Sequence, residues 1–228
     1  MDKQEVRNRI LEIGIVPVVR ASSAGEACAA ADAVCTGGIP IVEITMTVPG
    51  ALGVIRELVR NCGSDVLIGA GTVLSAEAAQ QCLDAGAQFL VSPGLKLQTV
   101  EFAVREGVLI LAGALTPTEV LAAWESGADF VKVFPCGNVG GAKYVKALKG
   151  PFPEIPLIPT GGVNLNTASE FLEAGAVALG VGGELVSADA LRSNNLEMVV
   201  ENARKFLAIV KQTRTKMRSS GIAANSTH

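Results

Sequence analysis

Histidine is almost missing from this chain of 228 residues: the only one is His228, the last residue. Catalysis by an imidazole and metal sites built on His ligands are thereby excluded. Aromatic residues make up only 4%, too few for the stacking platforms of a single-strand nucleic-acid binder. Charged residues are scarce at 18%, and acids outnumber bases for a formal net charge of −3. Nothing electrostatic therefore recruits a nucleic-acid backbone or an anionic membrane. There is no apolar run long enough to span a bilayer, and Met1-Asp2-Lys3-Gln4-Glu5 is too charged for a secretory signal. The five cysteines (Cys28, Cys35, Cys62, Cys82, Cys136) are odd in number and contain no C-x-x-C pair. That is the usage of a reducing compartment, so a cytoplasmic location is expected.

What the chain has in plenty is glycine, 25 residues, and apolar side chains, 49%, with a mean hydropathy of +0.41. Few charges and many small residues imply a large core with apolar surface left over, as at a subunit interface. Apolar runs of strand length begin near Ile15, Ile39, Asp65, Gln88, Val108, Phe130, Ile155 and Ala176, spaced 20 to 26 residues apart. They are continuous rather than alternating, the pattern of strands covered on both faces.

Alanine-rich amphipathic segments lie between them. Ser23-x-x-Glu26, Thr116-x-x-Glu119 and Thr167-x-x-Glu170 each fit a capping box, and Pro117 suits a first helical position. Gly37, Gly86, Gly107, Gly127 and Gly175 each follow a helical stretch and precede a strand. Eight units of strand then helix predict an α/β fold, a (β/α)8 TIM barrel over residues 1–211 with an extra N-terminal helix over 2–12. An open doubly wound sheet is the alternative, disfavoured because no complete G-x-G-x-x-G opens a helix: Gly69-Ala70-Gly71 lacks the third Gly, and Gly180-Val181-Gly182-Gly183 follows the last strand. Residues 212–228 are basic, then small and polar, and are expected to form a disordered tail. Asn225-Ser226-Thr227 matches a glycosylation sequon without meaning in the cytoplasm.

Charge inside barrel strands is informative because burying it alone is costly. Apart from Asp65 and Asp129 at strand starts, three charged side chains fall within the runs: Arg20, Glu43 and Lys132, all toward carboxyl ends, where barrel active sites are built. One reading is an internal Glu43–Lys132 ion pair of purely structural value. The other is chemical: desolvation favours the neutral form of an amine, and a neutral amine attacks a ketone to form a Schiff base. Glu43 then takes the proton-carrying role for which no His is present. Pro159-Thr160-Gly161-Gly162 and Gly180-Val181-Gly182-Gly183 end strands 7 and 8, the usual place in a barrel for a phosphate held by backbone N–H groups.

Five segments in order, Gly38-Ile39-Pro40-Ile41-Val42-Glu43-Ile44-Thr45, Gly69-Ala70-Gly71-Thr72-Val73, Ser92-Pro93-Gly94, Lys132-Val133-Phe134-Pro135 and Pro159-Thr160-Gly161-Gly162, together resemble the 2-keto-3-deoxy-6-phosphogluconate (KDPG) aldolases and their 4-hydroxy-2-oxoglutarate aldolase relatives. The resemblance runs from about Arg7 to Lys211. It implies a metal-independent, cofactor-free class I aldolase, typically a homotrimer. Lys132 would form the Schiff base and Glu43 would act as general acid/base. Thr72 and Pro93 would line the pyruvate site, with Phe134 packed beside the lysine. Thr160, Gly161, Gly162, Gly182 and Gly183 would hold the far end of the substrate. Two positions depart from the family pattern. Met46-Thr47 stands where Leu-Arg is common, leaving Arg20 to bind the substrate carboxylate beside Thr47, and Glu184 replaces a phosphate-contacting Ser. The galactonate epimer, 4-hydroxy-2-oxoglutarate and unphosphorylated 2-keto-3-deoxy acids are alternative substrates. A phosphosugar isomerase or epimerase and a non-catalytic ligand-binding barrel are the competing classes.

Overall fold

The computed structural model of the protein describes residues 1–220. Eight strands, β1 (Ile15–Val19), β2 (Ile41–Thr45), β3 (Leu67–Gly71), β4 (Phe89–Val91), β5 (Leu109–Ala114), β6 (Phe130–Val133), β7 (Leu157–Pro159) and β8 (Leu179–Val181), alternate with helices. The helices are α1 (Lys3–Ile13), α2 (Ala24–Thr36), α3 (Ala51–Cys62), α4 (Ala76–Asp84), α5 (Leu97–Arg105), α6 (Pro117–Glu125), α7 (Ala142–Lys149), α8 (Ala168–Glu173), α9 (Ala188–Arg192) and α10 (Leu196–Ser219), with a 3₁₀ turn over Cys136–Val139. Each strand pairs in parallel with the next and β8 returns to β1. A parallel bridge between Thr160 and Gly180 joins β7 to β8. The expected (β/α)8 barrel is the observed fold, with every strand residue buried. This double-sided burial is why the strands read as unbroken apolar runs. Gly69-Ala70-Gly71 falls within β3, not in a turn that opens a helix.

The N-terminal helix forms with Asp2 and Glu5 in a reciprocal capping box. It closes the amino-terminal end of the barrel: Lys3 pairs with Asp129 at 3.0 Å and the Arg7 guanidinium lies 5.5 Å from the Phe130 ring centre. Of the capping boxes read from sequence, Thr116–Glu119 is complete. Ser23 caps α2, but the Glu26 carboxylate accepts from the Ser22 N–H instead. The box expected at Thr167 does not form. The Asn164 side chain accepts from the backbone N–H groups of Asn166 and Thr167, making an Asx turn, and the Thr167 hydroxyl donates to the Gly162 carbonyl.

The boundary expected after residue 211 is also corrected. Helix α10 runs on to Ser219, Thr213 is buried, and Arg214 donates to the carbonyls of Glu12 (2.6 Å) and Val177 (3.0 Å). A basic residue that looks like solvated tail in one dimension satisfies carbonyls at the end of α1 and before β8. The sequon at Asn225 and the rest of the expected tail lie outside the described residues. Among the described residues no helix is long and apolar enough to cross a membrane.

Candidate active site

Lys132 is the third residue of β6, and among the described residues it is the one lysine lying within a strand. Glu43 is the third residue of β2. Both are buried, with 4% and 1% exposure, and their side chains meet inside the barrel, Lys132 Nζ lying 3.7 Å from Glu43 Oε1. That separation is an ion pair but too long for a hydrogen bond. The same Oε1 makes no hydrogen bond within the protein. A structural pair withdrawn from water is expected to close to bonding distance and recover its desolvation. This one leaves a carboxylate oxygen free beside an amine, as proton transfer at a reacting centre requires. Burial pushes the Glu43 carboxyl above the usual carboxylate range; the charge of Lys132, and then that of Arg20, pulls it back.

Two glycines make the room. A Cβ at Gly71 would collide with the Glu43 carboxylate, which occupies the space beside β3. Gly113 stands opposite Lys132 in the β5–β6 register. A Cβ there would collide with the backbone of Pro93 and Gly94. The absent side chain thus lets the Pro93 loop close over β5 next to the lysine. Ser92 fixes that approach by accepting from the Gly113 N–H at 3.1 Å. Thr72, the residue after β3, has φ of 58°. A β-branched residue in that region is strained by roughly 1–3 kcal/mol, a cost that marks functional loops more often than idle ones.

Phe134 connects this pair to a cavity. Its ring centre lies 5.6 Å from Lys132 Nζ, and the ring also lines a cavity of about 350 Å³ at the carboxyl ends of β1, β7 and β8. Arg20 and the loops Thr160–Val163 and Gly182–Glu184 form much of the rest. These loops are held from behind. The Gly161 carbonyl accepts from Gly137 (2.8 Å), the Gly162 carbonyl from the Thr167 hydroxyl (3.0 Å), and the Gly182 carbonyl from Leu185 and Val186 (both 2.9 Å). Gly161 and Gly162 both have positive φ, 84° and 79°, which a side chain would resist. Among the described residues the N–H groups of Gly162, Val163, Gly183 and Glu184 donate to no acceptor in the chain. Free N–H groups converging from two fixed loops suit an anion.

Eight of the residues singled out from sequence, Arg20, Phe134, Thr160, Gly161, Gly162, Gly182, Gly183 and Glu184, thus share one cavity. Lys132 adjoins that lining through the Phe134 ring, with Glu43 beside the lysine and the Pro93 loop packed over Gly113. Thr72 and Thr47 lie beyond its lining, on the loops after β3 and β2. Sequence reasoning passed over Val18, Val163, Val186 and Ala188, which also line the cavity. It named Thr45, Gly71 and Ser92 within motifs without giving them a role, and passed over Gly113. Their residue types carry no chemical signal; only register makes them relevant. A larger hollow of about 550 Å³ runs along α1, lined by Glu5, Asn8, Arg9, Glu12 and Ser64. It is at the opposite end from the ionisable pair, and Arg9 is already bonded to the Ser64 carbonyl.

The chain matches a family model described as "Aldolase: KDPG and KHG aldolase" over residues 6–202. A 2-dehydro-3-deoxy-phosphogluconate aldolase of Treponema pallidum is 36% identical over 198 residues, covering 87% of this chain and 94% of its own. A KDPG aldolase from Legionella pneumophila, with pyruvate captured at low pH as a covalent carbinolamine intermediate, superposes with a TM-score of 0.81 at 27% identity, covering 87% of this chain and 96% of its own. A cube-shaped, highly porous protein cage designed by fusing symmetric oligomeric domains contains a similar chain, with a TM-score of 0.85 at 28% identity, covering 92% and 77%.

Proposed function

The chain belongs to the KDPG and KHG aldolase family, and on that premise we propose that it is a class I aldolase cleaving 2-keto-3-deoxy-6-phosphogluconate to pyruvate and glyceraldehyde 3-phosphate. The observation that carries this reading is the buried Lys132–Glu43 pair, 3.7 Å apart and adjoining, through Phe134, a cavity lined by Arg20 and two glycine-rich loops. Lys132 attacks the C2 ketone; water leaves and a protonated imine forms. This cation is an electron sink, so removal of the C4 hydroxyl proton breaks the C3–C4 bond, releases the aldehyde and leaves an enamine. Glu43 takes that proton and returns it to C3; water then hydrolyses the imine, releasing pyruvate and restoring the amine. Thr72 and Pro93 bound the pyruvate half, and Phe134 shields the imine from solvent. No cofactor enters any of these steps.

Two anionic groups of such a substrate need two sites. Arg20 takes the carboxylate, because a guanidinium fork binds it bidentately. The phosphate goes to the N–H groups of Gly162, Val163, Gly183 and Glu184, with Thr160 and Gly161 setting the first loop and Gly182 the second. Glu184 favours a second reading, an unphosphorylated 2-keto-3-deoxy acid or 4-hydroxy-2-oxoglutarate, since its residue lines the same cavity. A carboxylate about 4 Å from a phosphate charge opposes it by about 1 kcal/mol in water and about 4 kcal/mol at an effective dielectric near 20. Glu184 is exposed, so its charge is screened, and the backbone donors are unchanged by its identity. The phosphorylated substrate is therefore expected to have the higher kcat/KM when compared with its dephosphorylated analogue. Equal values would replace the KDPG assignment by the second reading.

We also place the enzyme in a reducing, cytoplasmic setting, consistent with five free thiols, and assemble it as a homotrimer. Leu97 and Val104 on α5 and Leu121 and Trp124 on α6 are exposed apolar side chains on consecutive helices, which a subunit interface would cover. Likeness to a chain in a cage made from symmetric oligomeric domains points the same way. Sedimentation equilibrium is expected to return three times the 23.4 kDa chain mass; a monomer mass would reject the assembly.

A further inference from the structure

Side chains two apart in a strand share a face, so Thr45 lies in line with Glu43, one layer nearer the carboxyl end of β2, and both are buried. Thr45 Oγ1 is 3.1 Å from the Val19 carbonyl oxygen and 2.8 Å from Thr47 Oγ1. A hydroxyl carries one proton, and a carbonyl oxygen only accepts. Both bonds hold together only if Thr45 donates to Val19 and Thr47 donates to Thr45. The Thr47 proton is then committed. What its exposed hydroxyl offers at the mouth of the barrel is lone pairs. Arg20, which follows Val19 at the end of β1, lines the cavity at the same carboxyl end of the barrel.

From this polarity we infer that Thr47 is a specificity residue that accepts a hydrogen bond from a substrate hydroxyl beyond C3 and takes no part in holding the carboxylate. A carboxylate brings only lone pairs to meet lone pairs, whereas a hydroxylated carbon brings the donor that Thr47 lacks. Nor is Thr47 a proton relay to Glu43, because the chain of donors ends at the Val19 carbonyl. The inference deepens the aldolase reading and rests on it.

The test compares Thr47→Val, Thr47→Ser and Arg20→Lys on two ligands. One is pyruvate, followed by borohydride trapping, which has the carboxylate and ketone but no distal hydroxyl. The other is 2-keto-3-deoxy-6-phosphogluconate. Thr47→Val is expected to raise KM for the hydroxylated acid by about two- to tenfold, the range of one neutral hydrogen bond, with Thr47→Ser restoring it. The pyruvate concentration giving half-maximal trapping should stay within about twofold of the wild-type value, a change too small for a lost charged contact. Arg20→Lys should weaken both ligands by roughly tenfold or more, as the two cations are not interchangeable at a bidentate site. Weakening of pyruvate by Thr47→Val as large as that of the hydroxylated acid, or no change for either ligand, overturns the inference while leaving the aldolase intact. Failure of the wild-type protein to trap pyruvate at all removes the aldolase reading and this inference with it.

Discussion

Replacing Lys132 with arginine is expected to abolish covalent trapping of pyruvate and to lower cleavage by roughly 10⁴-fold or more, the scale of losing a covalent nucleophile. Arginine keeps a positive charge opposite Glu43 but has no amine able to form the imine, so the ion pair survives and the chemistry does not. That contrast separates the two readings of the pair. If the pair were structural, Lys132→Arg would retain activity and the melting temperature would report the change. In the wild-type protein, borohydride reduction with pyruvate should place the added pyruvyl group on Lys132 and on no other lysine. Lys149 is the instructive competitor: it is half-buried, and burial lowers its ammonium pKa. Its Nζ, however, donates to the carbonyls of Pro153 and Ile155 at 2.6 and 2.9 Å, which holds it outside the barrel. Label at Lys149, or none, would reject the assignment.

Why Lys132 stands out before any coordinates lies in the arithmetic of a parallel barrel. Its strands are covered on both faces, so a charge within one of the apolar runs is conspicuous, and three conspicuous residues are Arg20, Glu43 and Lys132. The same two-sided burial made the strand positions legible: the run at Ile15 starts β1, that at Phe130 starts β6, and those at Ile39, Ile155 and Ala176 lead their strands by two or three residues. The ends blurred where Pro40 and Pro156 precede the pairing residues, because an apolar run does not say where the ladder begins. Helix starts were legible where the capping residue had no competitor, as at Thr116. At Thr167 the start was legible, since α8 begins at Ala168, but the capping bonds were not: Asn164 three residues earlier accepts from the N–H groups of Asn166 and Thr167, and the Thr167 hydroxyl turns to Gly162.

The unread parts of the site share one property: they act through space they leave open or through backbone. Gly71 and Gly113 are glycines among 25, and nothing local marks them as making room for Glu43 and for the Pro93 loop. Thr45 is a buried hydroxyl in a strand of high β propensity, where threonine needs no special reason. Only the register that sets it against Val19 and Thr47 gives its proton a direction. Arg214 was misread for the complementary reason. In sequence it belongs to a basic terminal stretch, and only α10, packed against α2 and α8, brings it to the carbonyls of Glu12 and Val177 that it satisfies.

Glu43→Gln is expected to leave pyruvate trapping at Lys132 intact while lowering turnover by roughly 10²–10⁴-fold, the usual scale of general acid/base catalysis. Glutamine preserves volume inside the closed barrel and can still bond an amine, but it carries no proton at any working pH. The wild-type pH profile supplies an independent reading. Burial raises the Glu43 carboxyl above its ordinary range, and the opposing charges of Lys132 and Arg20 hold it down in part. A base must be ionised to act, so kcat/KM should fall as pH drops through this raised value, placing the acid limb above the pH at which an exposed glutamate titrates. Removing the Arg20 charge, as in Arg20→Met, deletes one of the two opposing charges and should move that limb to still higher pH, apart from its effect on substrate capture. The limb reports the free enzyme, so the shift survives even where the variant binds substrate poorly. A Glu43→Gln enzyme of near-normal turnover, or an acid limb at the ordinary glutamate value that Arg20→Met fails to move, would return the carboxylate to the role of a buried counter-ion and require a different base for the C4 hydroxyl.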